Sequence, residues 1–129
     1  MRPMTLVQMQ AAAQRVLDTM PAPFRAAAQG IVLQVVDWPP DDLLDEMGID
    51  DRLELTGLYD GVPLTEKSSF DQPMQPDLIW LFRQPILAEW RDRGDVALAD
   101  LVAHVTVHEL AHHLGWSDGD IATVDRWWE

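Results

Sequence analysis

The stretch His108-Glu109-Leu110-Ala111-His112 constrains this chain more than any other, because its chemistry works only on a helix. Two histidines four residues apart lie one turn apart on one helical face, so both imidazoles can reach one ion. The glutamate between them sits about 100° round the helix from His108, close enough to touch a water on that ion. The string runs on through His113-Leu114-Gly115-Trp116-Ser117-Asp118, giving H-E-x-x-H-x-x-G-x-x-D. Gly115 falls where the helix should end, since glycine adopts the left-handed conformation that turns the chain. Asp118 follows that turn and can fold back as a third ligand. The candidate ligands are therefore His108, His112 and Asp118, around one zinc ion with an open position for water, and Glu109 is the candidate general base.

Each assignment has a plainer competitor. His108 and His112 could be satisfied histidines on a buried face, with Glu109 a solvated charge. The agreement of helix, glycine and acid argues against that. Asp118 has two readings: a metal ligand, or an acid at the start of a last helix capped by Ser117, where the helix dipole favours it. His104 stands one turn before His108 and reads as a packed histidine near the cleft rather than a spare ligand. His113 faces another side of the helix and is left out of the ligand set.

Leu98, Leu101, Val102 and Val105 carry the helical period into the motif, so one helix is expected from about Ala97 to Leu114. It is apolar on several faces, with Ala99, Ala103, Val107 and Leu110, and should lie across the core. Upstream, Leu6, Met9, Ala13, Val16, Leu17 and Met20 make an amphipathic helix ended near Pro21. A short helix is expected between Pro23 and Gly30. Ile31 to Val36 reads as a buried strand, and Asp41 to Met47 as a helical turn or two before Gly48. Leu53 to Tyr59 reads as a second strand, Asp60-Gly61 as a turn, and Thr65 to Pro76 as a loop. Leu78 to Phe82 reads as a third strand, and Pro85 opens a helix closed by Gly94. A terminal helix turns Ile121 and Val124 inward, and Trp127 and Trp128 are expected to pack on the core rather than line the cleft.

The 129 residues suit a single domain, and the apolar share of 47% excludes general disorder. No apolar run approaches the roughly 18 residues of a membrane span, and the N-terminus lacks a secretory apolar segment. There is no cysteine, so any metal must be held by histidine and carboxylate. These features point to a cytoplasmic protein. A net charge of −13 opposes nucleic acid and anionic membranes as partners.

Three stretches together resemble the small bacterial zincin-like metallopeptidases, minimal proteins similar to the metzincin core. They are Gly57-Leu58-Tyr59-Asp60-Gly61-Val62-Pro63-Leu64-Thr65-Glu66-Lys67; Pro76 to Arg83 with Pro85-Ile86-Leu87; and His108 to Asp118. The resemblance covers roughly Leu17 to Asp125. It implies an α+β fold, a small mixed sheet with the motif helix behind it and further helices around. It also implies zinc on the residues matching His108, His112 and Asp118, with Glu109 as base. Larger metzincins carry a third histidine where this chain has Asp118, and a methionine turn after the motif, whereas no methionine follows Met74 here.

The expected activity is zinc-dependent hydrolysis of a peptide or protein substrate by a metal-activated water, with Glu109 moving the proton. An extended substrate would pair with the edge of the strand around Leu78 to Phe82. Tyr59, the one tyrosine, is a candidate oxyanion donor, with a packed core ring as the default. The competing class is a weakly active or inactive module that binds metal or a protein partner through the same fold.

Overall fold

The computed structural model describes residues 3–61 and 77–115. Within them the order is α1 (Leu6–Asp18), α2 (Ala22–Ala28), β1 (Ile31–Val36), α3 (Asp41–Met47), a 3-10 turn (Arg52–Glu54), β2 (Gly57–Asp60), β3 (Asp77–Phe82), α4 (Arg83–Arg93) and α5 (Leu98–His113). The loop expected over Thr65 to Pro76, Asp118, the terminal helix and Trp127 and Trp128 lie outside the described residues.

Local chemistry starts and stops these elements. Thr5 caps α1 through a reciprocal box: the Gln8 N–H donates to Thr5 Oγ1 at 3.1 Å, and the Thr5 N–H donates to Gln8 Oε1 at 3.0 Å. α4 begins two residues before Pro85, which the first turn of a helix tolerates because its missing N–H would have no helical partner. The expected strand from Leu53 to Tyr59 is corrected. Asp51 accepts from the Leu53 N–H at 3.0 Å and winds Arg52–Glu54 into a 3-10 turn, so the strand begins only at Gly57. The Arg52 guanidinium lies 3.7 Å over the Trp38 ring and anchors that turn.

The strands form one mixed sheet in the order β1-β3-β2, with β1 parallel and β2 antiparallel to β3. β3 is therefore central. Its consecutive apolar residues Leu78 to Phe82 suit a strand covered on both faces. The expectation that a substrate would pair with β3 fails for the same reason, because both of its edges are taken. Among the described residues, the outward edge on the motif side belongs to β2.

Ile31, Leu33 and Val35 of β1 and Ile79 and Leu81 of β3 share the inner face of the sheet. Met9, Ala13 and Leu17 of α1 and Leu98, Leu101, Val102 and Val105 of α5 join them in one core. Burying each of the larger of these side chains contributes about 1.5–3 kcal/mol. A smaller cluster of Leu44, Leu55 and Phe82 covers part of the outer face. Ten of the sixteen residues of α5 are buried, as expected for a helix apolar on several faces. Among the described residues, no helix is long and apolar enough to cross a membrane.

Candidate metal centre and active site

α5 presents two polar ladders to two surroundings. His104, His108 and His112 follow one another at four-residue steps and are each only partly buried. The His108 and His112 rings lie 4.9 Å apart at 73°, and His104 and His108 are 6.3 Å apart. Val105, Glu109 and His113 form the second ladder, turned toward the sheet and buried. Gly115 ends the helix at a φ of 85°, with its N–H on the His112 carbonyl at 2.9 Å. That left-handed turn is strained for residues with a Cβ, and it redirects the chain just after the histidine pair.

Glu109 is 8% exposed. It fits under β2 because position 57 has no side chain. A Cβ at Gly57 would stand 2.8 Å from Val105 Cγ1, 3.2 Å from the Trp80 carbonyl oxygen and 3.3 Å from Glu109 Cγ. Glycine at 57 thus sets the distance between the motif helix and the sheet. A cleft of about 240 Å³ opens beside this contact, lined by Leu55, Thr56, Gly57, His104, His108 and Glu109 among others. His104 therefore shares the wall of the cleft with the motif.

The edge of β2 runs along the same cleft. The Phe82 N–H donates to the Thr56 carbonyl at 2.9 Å, so Thr56 and Phe82 are a hydrogen-bonded pair. Bonding alternates along an antiparallel ladder, and Leu58 with Trp80 is then the next bonded pair. The backbone N–H and C=O of Gly57 consequently point away from β3, and among the described residues no strand pairs with them.

Two residues that the sequence placed outside the site, or missed, meet at the far end of β2. His113 Nδ1 lies 2.9 Å from Asp77 Oδ2 and 3.2 Å from the Tyr59 hydroxyl, which donates to the same Asp77 oxygen at 3.1 Å. His113 and Asp77 are 4% and 8% exposed. Tyr59 is thus not only a packed ring: its hydroxyl is held against Asp77 and His113. The missed signal was parity: Asp77 shares the inward face of β3 with Ile79 and Leu81, and acids are rarely buried without partners. His113 was readable as one turn beyond Glu109 on the sheet-facing ladder.

Zinc fits the donors that are described. Imidazole nitrogen and carboxylate oxygen are accepted zinc ligands, and His108, which lines the cleft, stands beside His112 one turn further along α5. Among the described residues, no group of three or more His, Asp or Glu is placed to hold a metal, and the expected third ligand, Asp118, lies beyond them.

A three-stranded mixed sheet backed by a helix that carries H-E-x-x-H is an α+β arrangement of zincin type. The chain belongs to the zincin-like metallopeptidase family, whose family model matches residues 28–128. No curated protein matches it.

Proposed function

We propose that the chain is a zinc-dependent peptidase in which Glu109 is the general base and His108, His112 and Asp118 are the metal ligands. The observation that carries this reading is the shared cleft, where Glu109 and His108 face the edge of β2. Family membership supports metallopeptidase chemistry in general. A bound zinc ion would supply the Lewis acid that acidifies a water and polarises a peptide carbonyl.

The chain's own residues do the rest. An extended peptide adds a strand at the outer edge of β2, with its backbone on that of Gly57. This holds the scissile carbonyl beside Glu109. The Glu109 carboxylate takes a proton from the attacking water as the carbon–oxygen bond forms, then gives it to the amine nitrogen as the carbon–nitrogen bond breaks. Packing under Gly57 fixes the carboxyl in place before substrate arrives, so little reorganisation is needed at the moment of reaction.

Glu109→Gln keeps the shape of the side chain and removes the base. It is expected to retain zinc and to lower peptide cleavage by at least about 10²-fold. A variant that cleaves a peptide library as fast as the wild type would overturn the role of Glu109. Chelator-insensitive cleavage by the wild type would overturn the role of the metal.

A further inference from the structure

The triangle of Tyr59, Asp77 and His113 is poorly explained as a device for stability alone. Buried carboxylate–imidazole contacts give little net stability, because desolvation offsets much of their attraction, and apolar residues of similar volume often serve as well. What such a contact supplies is direction. The three polar atoms lie within 2.9–3.2 Å of one another, and each belongs to a different element: β2, β3 and α5. Tyr59 donates to Asp77 Oδ2, and an N–H at His113 Nδ1 would donate to the same oxygen.

The surroundings are shaped to admit the carboxylate. Position 61 faces Asp77 when the pairing of Asp60 with Leu78 is continued by one residue. A Cβ there would stand 2.5 Å from Asp77 Oδ1 and 2.8 Å from the Tyr59 hydroxyl. The Asp60-Gly61 pair, which reads in the sequence as a turn, thus also makes room for the triangle. His113 is next to His112 in the chain and one turn beyond Glu109. Whatever fixes the azimuth of His113 fixes the last turn of α5, the backbone that carries His112 and the turn at Gly115.

We propose that Asp77 is a positioning residue for the metal site, acting through His113 and Tyr59 to set the last turn of the motif helix. This rests on the reading of His108 and His112 as ligands. Groups that orient a metal's ligands without touching the metal commonly change its affinity by about 10–100-fold when removed.

The test measures zinc affinity by chelator competition, well below every variant's thermal midpoint, together with that midpoint in the absence of metal. The proteins are wild type, Asp77→Ala, Asp77→Asn and Leu33→Ala. The last removes a core contact on β1, 4% exposed, and destabilises without touching the triangle. Asp77→Ala is expected to bind zinc about 10–100-fold more weakly. Leu33→Ala should bind as wild type despite a lowered midpoint. Asp77→Asn keeps an acceptor of the same shape but without charge, and should fall between wild type and Asp77→Ala. Equal affinity of Asp77→Ala and Leu33→Ala would overturn the proposal. Should the alanine variant fail to fold, wild-type affinity in Asp77→Asn would overturn it instead. A wild type that binds no zinc overturns the ligand reading itself, and is recognised because the variants then have no affinity to lose.

Discussion

The cleft face and the sheet face of α5 carry polar side chains under opposite conditions. His104, His108 and His112 stand on the cleft face, partly open. Val105, Glu109 and His113 stand on the sheet face, buried against β2. A donor that must meet an ion from solution has to remain accessible. A base that must wait in a fixed place gains from being enclosed, since a misplacement of about 1 Å can cost 10² in rate. On the proposed reading the two faces divide ligand access from placement of the base, and Gly57 of β2 allows the second face to come so close.

The sheet face of α5 is most sensitive at Gly57. Gly57→Ala puts a methyl group against Val105 and a backbone carbonyl, neither of which is a flexible side-chain end. It should destabilise the protein by about 1–3 kcal/mol, as overpacking does. It should also lower cleavage by about 10²-fold by moving Glu109, while zinc affinity changes less, because Gly57 meets Val105 and Glu109 and the contact of His113 with Asp77 is left in place. Denaturant titration, peptide cleavage and metal competition on one preparation separate these effects. Equal losses of metal and activity would show that Gly57 holds the metal ligands as well as Glu109.

The smallest effect should come from the rim of the cleft. Arg93 and Glu89 form a pair at 3.3 Å with side chains 41% and 37% exposed, one helical turn apart on α4. Solvent screens such a pair, so Arg93→Ala should change stability by no more than about 0.5 kcal/mol in a melting or denaturant experiment. A larger loss would mean that the cleft wall is as tightly specified as the sheet face.

Much of this was legible in the sequence, and the reasons differ by residue. α1, β1, α3, α4 and α5 appear close to where periodicity and breakers placed them, because each has its own local signal. The histidine pair and Glu109 were legible because one helix fixes their relation. The family model starts at residue 28, after α1, yet Met9, Ala13 and Leu17 complete the core and periodicity alone found them. The strand expected from Leu53 was wrong because Asp51 competes for the backbone through its own carboxylate, which hydropathy does not register. The choice of β3 as the substrate edge failed because strand order is a property of the assembled sheet. The triangle of Tyr59, Asp77 and His113 joins residues 18, 36 and 54 positions apart, and only the tertiary fold brings them together.

The central claim is that α5 carries a metal site on its cleft face, and calorimetric zinc titration tests it most directly. Wild type, His108→Ala and His112→Ala would be titrated side by side after removal of metal. The expected result is saturable binding of one zinc ion per wild-type chain and the loss of that binding in each variant. Binding of equal strength in all three proteins, or in none, would contradict it.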